Sequence, residues 1–126
     1  MYSVTVREHI MIAHSLPDPF FGPASQMHGA TYVVDAEFMT AELDEHNVVI
    51  DIGFGHQCLK DICALLNYKN LDELSQFQGQ LTTTEFLARY IFDQAANSLR
   101  NSFQGDLKIT LHESHVAAAS YQGRVG

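Results

Sequence analysis

An alternation of apolar and polar side chains at the start of the chain limits what it can fold into. From Tyr2 to His14, one phase of a period-two pattern is apolar, and only Glu8 interrupts it. Alternate residues of a β-strand face the same side of a sheet. The members of this phase are Tyr2, Val4, Val6, Ile10, Ile12 and His14. The pattern predicts a long strand with one buried face.

Three later segments repeat this kind of pattern. A second strand is predicted over 27–43, after a loop over 16–26 that contains all three prolines. A third strand opens near Gly105 and leads to Glu113, and a final strand covers about 116–121. The first two strands are expected to form a long hairpin, and the last two a second hairpin.

Two helices are predicted between the hairpins. The first covers about 53–66, with apolar residues at helical spacing. The second begins at Thr82-Thr83-Thr84-Glu85, which has the form of a capping box, and ends near Asn101. The order ββααββ predicts an α+β fold in one domain over 1–126, with a four-stranded antiparallel sheet and both helices on one face. Such a sheet has open edges, which favours closure through an oligomer.

The charge of the chain argues against two classes of partner. The formal net charge is −8, and the chain has only 7 Lys and Arg residues, which do not cluster. Binding to nucleic acid or to an anionic membrane surface depends on such cations. Charged residues and histidines interrupt the apolar run over 1–15, so it is neither a signal peptide nor a membrane span.

The two cysteines indicate a reducing compartment. Cys58 and Cys63 fall in the first predicted helix at a spacing that places them on different faces, which argues against a mutual disulfide. We therefore expect free thiols and a cytoplasmic protein. Cys63 falls in the apolar stripe of the helix and is expected to be a core residue.

Three predicted strands place ionisable residues in their apolar phase. His14 ends the first strand, His28 begins the second, and Glu113 ends the third. Burial of such a group is costly unless it has a partner. Histidines near a carboxylate are suitable zinc ligands or acid–base groups. The alternative is that each is a hydrogen-bonded core or edge residue. His115 shares the phase of Glu113 and either joins this site or lies in a turn.

Tyr68 follows the first predicted helix. A phenol can donate or accept a proton in catalysis, although its ordinary pKa of about 10 requires tuning. The alternative is that Tyr68 packs against the helix end. The chain has no glycine-rich phosphate loop, no Gly-x-Ser-x-Gly elbow and no Cys-x-x-Cys pair.

Six segments, in order along nearly the whole chain, resemble one known family. The segments are MIAHSL, FFGPASQMHGATYVVDAEF, VVIDIG, LLNYKNLDEL, TTTEFLARYIF and ITLHESHVAAASY. Together they resemble the 6-pyruvoyl-tetrahydropterin synthase / 6-carboxytetrahydropterin synthase family. The resemblance implies the tunnelling fold, in which subunits close a barrel as trimers, trimers stack as hexamers, and active sites lie between subunits.

The resemblance also implies zinc and a pterin-like ligand. Of the family's three zinc histidines, two match His14 and His28, and the third is Ala30. The family's pterin-anchoring glutamate matches Glu113, and its pocket-lining segment matches Thr83 and Thr84. These matches predict that His14 and His28 are metal ligands. They predict that Glu113, Thr83 and Thr84 bind the substrate.

The family's proton-moving residues are replaced. Its catalytic cysteine corresponds to Ala24, with Ser25 the only nucleophile nearby, and its Asp-His pair corresponds to Asn67-Tyr68. Tyr68 and His115 are therefore the candidate catalytic residues, and His115 or another group would have to supply a third zinc ligand.

The resemblance predicts one of two functions for this homo-oligomer. The first is a divergent carbon–oxygen lyase that acts on a pterin-like heterocycle, for which 7,8-dihydroneopterin triphosphate is the default substrate. The second is a non-catalytic oligomer that binds a pterin- or purine-like ligand. A structural oligomer without a ligand would give no reason for Glu113 to lie in an apolar phase.

Overall fold

The fold consists of two long hairpins with two helices between them. A computed structural model describes residues 1–126. The strands and helices are β1 (Tyr2–His14), β2 (His28–Thr40), α1 (Ile52–Ala64), β3 (Lys69–Asn70), α2 (Thr84–Leu99), β4 (Gly105–Ser114) and β5 (Ala117–Val125). Three short 3₁₀ segments, Pro19–Ser25, Leu71–Glu73 and Ser75–Phe77, lie in the connections.

All five strands belong to one sheet, in the order β3-β1-β2-β4-β5. The long strands are antiparallel, and the register of β1 with β2 pairs His14 with His28. The predicted α+β fold with two helices and four antiparallel strands is confirmed. The two-residue strand β3, parallel to β1, was not predicted and makes a fifth strand. The second strand ends at Thr40 rather than near residue 43, and β5 continues to Val125.

One core lies between the helices and one face of the sheet. It contains 26 buried residues, among them Ile10, Phe38, Leu107 and Ile109 from the predicted apolar phases. The buried faces of both helices belong to this cluster. The alternate residues point to the other face of the sheet, which is mostly polar and carries Arg7, Asp35, Lys108 and His112. No helix of the chain is long and apolar enough to cross a membrane.

Candidate functional site

The buried phases of β1, β2 and β4 lead into one pocket beside the start of α2. It has a volume of about 280 Å³. Its lining residues are His14, Leu16, Phe21, Ala24, His28, Tyr32, Thr83, Thr84, Glu85 and Glu113. Five of the seven residues predicted to be catalytic, substrate-binding or metal-binding therefore line one pocket: His14, His28, Thr83, Thr84 and Glu113.

The two histidine rings face each other across the first hairpin. Their centroids are 4.6 Å apart, and the planes are inclined at 63°. His14 is buried, and its Nδ1 lies 3.0 Å from Oγ1 of the buried Thr82. The Nδ1 of His28 lies 2.8 Å from the carbonyl oxygen of Gln26. Because a carbonyl only accepts, Nδ1 of His28 carries the proton in this hydrogen bond, and neutral His28 has a free lone pair on Nε2.

His14 is held in its neutral form by its surroundings. Burial is the largest cause that lowers the pKa of His14, and the neighbouring His28 lowers it further. Asp72 and a hydrogen bond with the backbone of Thr82 act in the opposite direction. The pocket therefore presents an uncharged imidazole at this end, suited to hydrogen bonding or to accepting a proton.

Tyr32 contributes a phenol that was not predicted as a site residue from the sequence. It is fully buried on β2, in the same phase as His28. Burial raises the pKa of Tyr32, and Glu113 and Glu85 raise it further, against a hydrogen bond to Thr84. The hydroxyl therefore stays protonated and can donate. The sequence did indicate this role: Tyr32 lies four residues after His28 in the same apolar phase, and a buried phenol needs a polar partner.

Glu113 owes its position to an irregularity at the end of β4. Pairing of β2 with β4 stops at Val33 and His112, and the β4–β5 register shifts between His112 and Ser114. Glu113 is therefore the unpaired residue of a β-bulge, a feature that re-aims side chains. Its side chain is exposed and also lines a small neighbouring cleft with Thr84, Glu85 and Ala117.

The start of α2 differs from the predicted capping box. Thr83 is the N-cap, and its Oγ1 accepts the amide hydrogen of Phe86 at 3.1 Å. Glu85 is therefore the second helical residue, one position too early to complete the reciprocal bond of a capping box. Its carboxylate lines the pocket beside Glu113 instead. Glu85 is thus a pocket residue that was not predicted from the sequence.

The donors around His14 and His28 do not complete a metal site. Ala30 carries no donor atom, and Ala24 presents a methyl group to the pocket. No three His, Cys, Asp or Glu side chains lie close enough together to hold a metal ion. The residues of this chain therefore do not fit the three-histidine zinc site that the resemblance implies, because two imidazoles are fewer than the three protein ligands of a catalytic zinc.

Tyr68 and His115 lie outside this pocket. Tyr68 is 79% exposed with φ of 61°, and its amide donates to the carbonyl of Met11 beside β3. It lines a separate cleft at the β1–β3 edge. His115 is exposed in the β4–β5 turn and lines a cleft with Arg7 and His112. Within one chain, neither residue is brought to the histidine pair.

The family model described as 6-pyruvoyl tetrahydropterin synthase matches residues 3–124, which is nearly the whole chain. The chain belongs to the 6-pyruvoyl tetrahydropterin synthase family. A curated relative, the 6-pyruvoyl tetrahydrobiopterin synthase of Dictyostelium discoideum, is 29% identical over 105 residues, which cover 82% of this chain and 76% of the relative.

Solved structures of the family share the fold. The 6-pyruvoyl tetrahydropterin synthase of Caenorhabditis elegans matches with a TM-score of 0.84 and 20% identity, covering 97% of this chain and 95% of that chain. The enzyme of Plasmodium vivax matches with a TM-score of 0.79 and 15% identity, covering 98% of each chain. At such low identity these likenesses establish the fold alone.

Proposed function

We propose that this member of the 6-pyruvoyl tetrahydropterin synthase family binds a pterin-like heterocycle in the pocket and acts on its side chain as a carbon–oxygen lyase. The observation that carries the proposal is the position of Glu113, which shares one pocket with His14 and His28 in a chain of this family. In this proposal the Glu113 carboxylate binds the pterin ring, and the histidines face the side chain of the ligand.

The pocket has groups suited to an amino-pyrimidine edge. The Glu113 carboxylate can accept two parallel N–H bonds from such an edge, and charge-assisted bonds of this kind are both strong and directional. The hydroxyls of Thr83, Thr84 and Tyr32 offer further polar contacts to the ring. The pocket volume of about 280 Å³ lies just below the usual range of ligand pockets, which is about 300–1,000 Å³.

Lyase chemistry on the side chain needs groups that move protons. The neutral His14 and the lone pair on His28 can accept protons, and Tyr68 and His115 are the proposed catalytic residues. Because Tyr68 lies at the open β3 edge, it would reach the pocket of a neighbouring subunit rather than its own. The proposal therefore includes a homo-oligomer, a trimer or a hexamer, in which strand edges of different subunits meet.

Zinc has a limited part in the proposal. His14 and His28 are the protein ligands that the chain offers, and His115 lines a different cleft. We expect one subunit to bind zinc weakly. Elemental analysis of the purified protein, compared with a His28→Ala variant, measures whether these histidines hold a metal. Equal zinc content in the two proteins would remove His28 as a ligand.

Turnover tests the enzymatic part of the proposal. The purified protein, with and without added zinc, is incubated with 7,8-dihydroneopterin triphosphate, and the ligand is followed by mass spectrometry. A carbon–oxygen lyase would remove a proton from a side-chain carbon, break the C–O bond on the adjacent carbon and release triphosphate, and Tyr68→Phe is expected to slow this release at least tenfold. An unchanged substrate in every condition would contradict lyase activity on this compound.

A second candidate function is ligand binding without catalysis. The methyl groups of Ala24 and Ala30, at the matched positions of a nucleophile and a metal ligand, favour it. A binder would retain its affinity for the heterocycle in the Tyr68→Phe variant and show no turnover in the wild type.

Cys58 and Cys63 are both free thiols, which supports a cytoplasmic location for either function.

A further inference from the structure

A chain of three charged or titratable side chains crosses the polar face of the sheet, opposite the helices. Arg7 on β1 binds Asp35 on β2 through two parallel hydrogen bonds, Nε to Oδ1 at 2.7 Å and Nη2 to Oδ2 at 2.9 Å. His112 on β4 lies with Nε2 2.9 Å from Oδ2 of the same carboxylate. Because an ionised carboxylate only accepts, the Nε2 of His112 carries the hydrogen.

The strand register explains why these three residues meet. Arg7 lies directly opposite Asp35 in the β1–β2 ladder. His112 is opposite Val33, so Asp35 is its diagonal neighbour on the same face. Diagonal cross-strand pairs lie within reach of long side chains. His112 is half-buried and hydrogen-bonded to Asp35.

His112 is also the last residue that ties β4 to β2. Beyond it the β2–β4 ladder ends, and Glu113 occupies the bulge before Ser114 pairs with Ala117 of β5. The backbone at Glu113 therefore lacks a ladder partner on either side. The direction of the backbone at Glu113 therefore depends on His112, the residue that precedes it. The carboxylate of Asp35 is 15% exposed and held from both sides, so it is a rigid anchor for His112.

We propose that Arg7, Asp35 and His112 form a positioning chain that fixes the bulge and aims Glu113 into the pocket on the other face of the sheet. The effect on ligand binding rests on the proposed function, whereas the effect on Glu113 itself does not. In this chain His112 is a positioning residue, because it touches neither the pocket nor the ligand. Glu113 lines the clefts on both faces, which makes it the point where the two faces are coupled.

The test compares His112→Phe, which removes the N–H donor but keeps a ring, with His112→Gln, which keeps a donor. His46→Phe, in the exposed turn after β2, is the control for the loss of a histidine. Backbone NMR order parameters of the ligand-free protein are measured at Glu113 and Ser114. We expect His112→Phe to lower them from about 0.85, which is typical of a rigid backbone, to below about 0.6, and the other two variants to match the wild type.

Binding of 7,8-dihydroneopterin, measured by calorimetry, provides the second readout. His112→Phe is expected to raise the Kd about tenfold. The double variant His112→Phe/Glu113→Gln is expected to have the same Kd as Glu113→Gln alone, because both substitutions act through the Glu113 carboxylate. Should His112→Phe fail to fold, Arg7→Met breaks the same chain from a side chain that is 57% exposed.

Wild-type order parameters at Glu113 in His112→Phe, or equal effects of the Phe and Gln variants, would overturn the proposal. Lowered order parameters confined to His112→Phe, in a protein that binds no dihydropterin, would support the positioning chain and contradict the proposed function instead.

Discussion

At the scale of single residues, Cys63 is the clearest case of a side chain whose chemistry is set by burial. It is 3% exposed in the core, and desolvation raises the pKa of its thiol to about 12, with Glu8 adding to the shift. The thiolate is the reactive form of cysteine. We predict that iodoacetamide at pH 8 leaves Cys63 unmodified in the folded protein and labels it in urea.

Peptide mapping by mass spectrometry measures this reactivity. Cys58 is the internal comparison, because it is half-buried and burial raises its pKa too. It should react slowly, but faster than Cys63. Labelling of Cys63 in the folded protein at the rate seen in urea would contradict its place in the core.

Asp35 makes the unfolding free energy depend on pH. The hydrogen bond from Arg7 is the largest cause that lowers the pKa of Asp35 below its ordinary value of 3.8. A carboxylate with a lowered pKa in the folded state contributes stability above its unfolded pKa and loses it as the pH falls through the folded pKa. We predict that the unfolding free energy falls between about pH 5 and pH 2, and that Arg7→Met reduces this fall.

Urea unfolding at several pH values measures the effect. Arg100→Met, at the exposed end of α2, removes an equal charge without a carboxylate partner and controls for net charge. Identical pH dependence in the two variants would show that Arg7 does not stabilise ionised Asp35.

At the scale of elements, the contact of β5 with α2 depends on a missing side chain. A Cβ at Gly123 would lie 2.8 Å from Cζ of Phe92, whose ring packs edge-on against Tyr121. We predict that Gly123→Ala lowers the unfolding free energy by about 1–3 kcal/mol through overpacking. Gly29 on β2 is the matched control, because a Cβ there is no closer than 3.8 Å to its nearest neighbour. Equal urea midpoints for Gly123→Ala and Gly29→Ala would contradict the close contact.

The strands and helices with clear periodicity could be predicted from the sequence. The apolar phase of β1 fixed its length from Tyr2 to His14, because one buried face over that span leaves a single consistent register. The strand β3 could not be predicted, because two residues carry no periodicity. The same applies to the bulge at Glu113, which depends on how β4 meets two neighbours at once.

The residues of the pocket were predicted only in part. Residues in an apolar phase at strand ends, such as His14 and His28, could be found from alternation. Tyr32 looks like any core aromatic residue in sequence, and Glu85 was assigned to a cap because it lies three residues after Thr82, as a capping box requires. Deciding whether Thr82 or Thr83 is the N-cap requires the backbone angles at the helix start.

At the scale of the whole molecule, both outer strands of the sheet have a free edge. β3 and β5 each have one neighbour, and the cleft at β3 carries the exposed side chains of Met11 and Tyr68. Exposed apolar residues beside an open edge favour association. We predict a particle of three or six subunits of 14.1 kDa by light scattering coupled to gel filtration. A 14.1 kDa particle at micromolar concentration would contradict the proposed oligomer and the reach of Tyr68 into a neighbouring pocket.

The central claim is that Glu113 anchors a pterin-like ring in the pocket with His14 and His28. Calorimetric binding of 7,8-dihydroneopterin to the wild type and to Glu113→Gln tests it most directly, with Glu73→Gln as the control at an exposed carboxylate outside the pocket. Loss of a charge-assisted pair of hydrogen bonds predicts a Kd that rises about 10- to 100-fold in Glu113→Gln and stays unchanged in Glu73→Gln. Equal affinity in all three proteins, or no binding to the wild type, would contradict the claim.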